Sequence, residues 1–178
     1  KYKKILIETE SIIKNLIDSI PANKRVLITS HDAFQYYGRK YGLQLESILG
    51  TSTDAEAQTS DINRLYSVIK KSGVPAIFIE STINPQTIQQ IAKDTKVKIG
   101  GKLYADSLGD PESEGGTYTG MLITNTRNIA NALRGIANEN DEKATSSKDS
   151  SSSNWIFVGI IGVLLIGGAG FMFKKMSA

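Results

Sequence analysis

This chain of 178 residues predicts an α/β fold: a single lobe with a four-stranded, mostly parallel sheet flanked by helices. Three observations point there. Helical and strand patterns alternate from residue 5 to residue 137, and such alternation builds right-handed βαβ units around a parallel sheet. The strand patterns are short and apolar, as in Ala76-Ile77-Phe78-Ile79, which suits a sheet covered on both faces. The apolar runs stop at polar clusters: His31-Asp32, Thr51-Ser52, Glu80-Ser81 and Asp106-Ser107. In a parallel sheet these ends share one rim, the crevice where ligands bind.

Each element has a local cause. Ile5, Ile12, Ile13, Leu16, Ile17 and Ile20 recur at helical spacing, and Pro21 ends that helix. Residues 26–29 are the first strand. Residues 33–41 form a helix capped by Asp32 or Ser30 and stopped by Gly42. A second strand, residues 43–49, ends at Gly50. A polar loop leads to an amphipathic helix over 61–72, capped by Thr59 or Ser60, with Ile62, Leu65, Tyr66 and Ile69 inward. Gly73-Val74-Pro75 breaks it. Residues 76–79 are the third strand. Asn84-Pro85 opens a helix to about residue 94, proline suiting its first turn. Residues 97–99 are the fourth strand, closed by Gly100-Gly101. A loop rich in Gly, Ser and Asp precedes a long helix over 117–137, with Met121, Leu122, Ile129, Leu133 and Ile136 on its apolar side.

Composition narrows the function. The formal net charge is +3, with acids and bases interspersed, so no basic stripe points to nucleic acid. Cysteine is absent, which excludes disulfides, thiolate metal sites and cysteine nucleophiles. The chain begins at Lys1 with neither Met nor a signal-peptide pattern, so it reads as trimmed or as the C-terminal part of a longer polypeptide. Residues 155–173 carry no charge and have Trp155 and Phe173 at their ends. That run approaches the ~20 apolar residues of a transmembrane helix, and terminal aromatics suit membrane interfaces. It predicts a single-pass anchor in the cell membrane. Lys174 and Lys175 place residues 174–178 in the cytoplasm and the lobe outside. Residues 138–154, polar and Ser-rich, read as a flexible tether.

Metal binding is the first chemistry the rim offers. His31 is the only histidine. With carboxylates from Asp106, Glu80, Glu56 and Asp54 it gives a mixed nitrogen and oxygen set, suited to zinc, manganese or iron. One histidine does not build a high-affinity site, so a further nitrogen ligand comes from outside this chain. Asp106 and Glu80 also have a plainer reading as solvated or capping acids. Hydrolysis is the second chemistry. Ser30-His31-Asp32 are adjacent, but a triad is defined by spatial roles, and no Gly-x-Ser-x-Gly occurs. Phosphate binding is the third. Gly100-Gly101 and Gly115-Gly116 match neither a P-loop nor the dinucleotide fingerprint, and they read as turn glycines. Tyr36, Tyr37 and Tyr41 share one helix and read as core or contact residues.

Four segments carry a resemblance: Thr29-Ser30-His31-Asp32-Ala33-Phe34 with Tyr37 and Tyr41-Gly42; Ala76 to Ser81; Gly100-Gly101-Lys102-Leu103-Tyr104-Ala105-Asp106-Ser107-Leu108-Gly109; and Gly116-Thr117-Tyr118-Thr119-Gly120-Met121 on to Asn125. In this order they resemble the C-terminal lobe of the solute-binding proteins of zinc and manganese ABC importers. Residues 1–24 are similar to the end of that family's long interlobe helix, and 25–137 to its metal-binding lobe. The resemblance implies a divalent metal held between two lobes, and a receptor rather than an enzyme. His31 and Asp106 would be ligands, with two further histidines from an N-terminal lobe absent here. Ser30, Glu80 and Ser107 would support them. An ABC permease would be the membrane partner. The alternative is a surface-anchored adhesin or interaction module with a structural or vestigial metal site.

Overall fold

The structure, a computed structural model, describes residues 1–52 and 57–136. Its elements in chain order are α1 (Tyr2–Asp18), β1 (Val26–Thr29), α2 (Gln35–Tyr41), β2 (Gln44–Ser47), α3 (Thr59–Ser72), β3 (Ala76–Glu80), α4 (Gln86–Thr95), β4 (Lys98–Leu103) and α5 (Tyr118–Arg134). A short 3-10 turn, Ala22–Lys24, links α1 to β1. The predicted alternation of helices and strands is therefore present, and both strand pairs are parallel.

The backbone ladders join β1 to β2 and β3 to β4, and β1 lies beside β3. Four strands are present as two hydrogen-bonded parallel pairs; no ladder among the described residues joins β1 to β3 into the expected single four-stranded sheet. Period-two alternation sends successive side chains to opposite faces. Leu27, Ala76, Phe78 and Leu103 pack with Ile13, Ile17 and Ile20 of the α1 segment and with Ile129 and Leu133 of α5. Val26, Ile28 and Ile77 pack instead with Leu65 and Ile69 of α3 and Ile88 and Ile91 of α4. Two cores therefore sandwich the strands, which explains why β1 is buried at every position.

Several boundaries differ from expectation. Strand β4 does not stop at Ile99 but runs through Gly100 and Gly101 to Leu103. The register slips between Ile77↔Ile99 and Ile79↔Lys102, a bulge that lets the strand continue. Gly101 has φ +123, and a Cβ on Gly100 would meet Ala132 and Phe78 at 2.6 Å. Neither Asp32 nor Ser30 caps α2; Phe34 occupies that position without a side-chain bond, and Asp32 instead accepts from Gln35. Gln58, not Thr59 or Ser60, precedes α3. Ile5 and Ile12 are 41% and 43% exposed, and Ile136 is 50% exposed past the end of α5. The predicted tether, the apolar run 155–173 and Lys174 and Lys175 lie outside the described residues, as do Asp54 and Glu56. Among the described residues no helix is long and apolar enough to cross a membrane.

Candidate metal centre

Two buried strands deliver the site's fixed part. β1 ends at Thr29, and the next two residues, Ser30 and His31, turn at the rim. β3 ends at Glu80. The Glu80 side chain is fully buried, and His31 is 4% exposed at its side chain. Glu80 Oε1 accepts from the Ser30 N–H at 2.9 Å and from the His31 N–H at 3.1 Å. Its Oε2 meets the Nδ1 of His31. One carboxylate therefore ties the end of β1 to the end of β3. Burial pushes the Glu80 carboxyl above its ordinary range, and the bonds from His31 and Ser30 pull it back. Thr29 Oγ1 donates to the His31 carbonyl at 2.8 Å, and Leu49 N–H to the Ser30 carbonyl at 2.9 Å.

Where Glu80 is ionised it can only accept, and the proton shared with it belongs to Nδ1; in the neutral ring Nε2 then carries the lone pair a metal would take. Nε2 faces Asp106, whose Oδ2 is 3.3 Å away. Asp106 differs from Glu80 in being 54% exposed. It also accepts from Thr82 Oγ1 at 3.4 Å. The predicted pair His31 and Asp106 thus comes together, and Glu80 lies against the far side of the same ring. Because the two acids sit on opposite edges of the imidazole, they do not share a point. Among the described residues no three His, Asp or Glu side chains converge to hold a metal ion.

The other predicted residues divide. Ser30 contributes its backbone, while its hydroxyl is buried without a partner. Ser107 is exposed on the loop and does not approach the imidazole through any hydrogen bond. One residue with an unforeseen role is Asn125 of α5, only 2% exposed. Its Oδ1 accepts from Tyr104 N–H at 2.9 Å, and its Nδ2 donates to the Tyr104 carbonyl at 2.7 Å. It pins the segment two residues before Asp106. A buried amide on the inward face of a helix was the available signal. Tyr37 is similarly tied, with its hydroxyl 2.6 Å from Thr126 Oγ1.

Residues 1–132 match the family described as ZnuA, zinc-uptake complex component A periplasmic. The chain belongs to this family. It is 37% identical over 137 residues to the zinc-binding protein TroA of Treponema pallidum, covering 74% of this chain and 44% of that protein. It is 34% identical over 139 residues to the manganese-binding lipoprotein MntA of Bacillus subtilis, covering 75% and 45%. The solved periplasmic zinc binding protein TroA matches with a TM-score of 0.71 at 36% identity, covering 74% of this chain and 50% of that one. A manganese-bound mutant of a periplasmic metal binding protein from Candidatus Liberibacter asiaticus gives 0.68 at 27% identity, covering 74% and 48%. The chain spans less than half the length of these two curated relatives. Membership in the zinc-uptake component family agrees with the α/β architecture and with the resemblance read from the rim segments.

Proposed function

We propose that this chain is the C-terminal, metal-closing lobe of an extracytoplasmic receptor that captures zinc or manganese and delivers it to an ABC importer. The observation that carries the reading is the two-sided environment of His31. Its Nδ1 is engaged by a buried carboxylate, and its Nε2 faces an exposed one.

The imidazole is the fixed ligand. Its orientation is set by Glu80 and by the two strand ends that Glu80 joins. Asp106 is the adjustable ligand, because an exposed carboxylate on a loop can rotate toward an arriving cation. Two histidines of a preceding lobe complete the site, since an imidazole and one carboxylate leave a four-coordinate metal half-satisfied. Separation of the lobes splits the ligand set and releases the cargo to the permease. Binding needs the imidazole neutral, so affinity falls with acidification. Residues 155–173 hold the receptor at the membrane.

The test is calorimetric titration of zinc and manganese into the complete receptor. His31→Ala and Asp106→Ala each remove a ligand, so each should weaken binding by more than the ~100-fold that losing an orienting partner costs. Unchanged affinity in His31→Ala overturns the assignment.

A further inference from the structure

We infer that the lobe carries a second ligand site, on the sheet face opposite the imidazole, for a small organic carboxylate with an aliphatic body. Two contacts separate the sites. Glu80, which meets the imidazole, shares its parity along β3 with Phe78 of the α1 and α5 core. Ser30 instead lines a cavity with Ile48, Ile62 and Ile88, which pack in the α3 and α4 core.

On that second face lies a cavity of about 480 Å³, lined among others by Ser30, Ile62, Thr82, Asn84, Thr87 and Ile88. Ser30 is 4% exposed, and its hydroxyl has no hydrogen-bond partner. Buried hydroxyls are nearly always paired. An orphan hydroxyl in the cavity wall marks the place of a hydrogen-bonding guest.

The charge of the guest follows from α4. Asn84 Oδ1 takes the Gln86 N–H at 3.0 Å. The next amides, Thr87 and Ile88, have no intrahelical acceptor, and both residues line the cavity. A helix start favours an anion, and no charged side chain among the described residues lines the cavity.

The body of the guest follows from the remaining wall. Ile48, Leu49, Ile62, Ile83 and Ile88 are apolar lining residues, and the volume falls in the range of small-molecule sites. A bare inorganic oxyanion would leave this wall unfilled.

Sodium hexanoate titrated into the intact chain, followed by amide NMR, tests the site. Saturable shifts are expected at Thr87 and Ile88. Ser30→Ala should weaken hexanoate about fivefold, the loss of one hydrogen bond, and Ile62→Trp should abolish binding by filling the cavity. Hexanol, the uncharged analogue, should bind more weakly. Hexanol binding equal to hexanoate overturns the anionic head. Sodium phosphate binding the same amides as tightly as hexanoate overturns the aliphatic body. No saturable shift with either anion overturns the site altogether.

Discussion

His31 has different neighbours on its two ring nitrogens, and that asymmetry fixes what Glu80 does. Glu80 holds the proton-bearing edge of the ring and, through Oε1, the two backbone amides that aim it. Glu80→Gln keeps the shape but loses the charge that raises imidazole basicity. Zinc affinity of the complete receptor should fall about 10–100-fold by calorimetry, with the fold retained by circular dichroism. A second residue-level consequence concerns Tyr37. Burial raises its hydroxyl well above the ordinary value, and the Thr126 bond offsets this only in part. An unfolded tyrosine ionises near pH 10, while the folded Tyr37 keeps its proton. The native state then binds more protons than the unfolded one. Its contribution is complete below about pH 10 and is lost at about 1.4 kcal/mol per pH unit above it. Urea unfolding at pH ~9 and ~11 should therefore show a steeper loss for wild type than for Tyr37→Phe.

At the scale of elements, the docking of α5 on β4 positions Asp106. Gly100 makes that docking possible, since a methyl there would lie 2.6 Å from the Ala132 Cβ and 2.6 Å from the Phe78 ring. Both neighbours are buried and cannot yield freely. Gly100→Ala should cost ~1–3 kcal/mol of unfolding free energy, read from the urea midpoint. Asn125 completes the contact by standing in for a strand neighbour at Tyr104. Asn125→Ala leaves two backbone groups without their partner, at ~1–3 kcal/mol. Because Asp106 lies two residues on, zinc affinity should fall in the same variant. The helix caps show the limit of local rules. Thr117 does cap α5, accepting from the Gly120 N–H, but Asp32 does not cap α2. The turn after β1 is already committed to Glu80 and to the Gly50 carbonyl, which accepts from the Asp32 N–H.

For the molecule as a whole, the ligand count decides the behaviour. Two candidate ligands face each other, and no third His, Asp or Glu among the described residues joins them. This polypeptide should bind zinc much more weakly than a receptor in which the preceding lobe is present. Titration of both forms checks it, and equal affinity would contradict the two-lobe arrangement. The apolar run 155–173 makes a separate expectation. A chain carrying it should stay with membranes through alkaline carbonate extraction, and a chain ended at residue 137 should not.

The sequence by itself determined the order of helices and strands, the buried strands and the rim. Val26–Thr29 was legible to the residue, because a fully buried strand leaves an uninterrupted apolar run. His31 and Asp106 were legible as candidates because both follow strand ends, and the family resemblance rested on the same short segments. The bulge at Gly100 and Gly101 was not, because two glycines look alike whether they end a strand or carry it past a helix. Only the tertiary structure decided that Glu80 and Asp106 take opposite edges of one imidazole. It also decided that Asn125 holds Tyr104 and that Ser30 turns away from the imidazole toward the other face. Each of these depends on contacts between residues far apart in the chain. A linear pattern fixes which face a side chain shares with its neighbours, not what stands across from it.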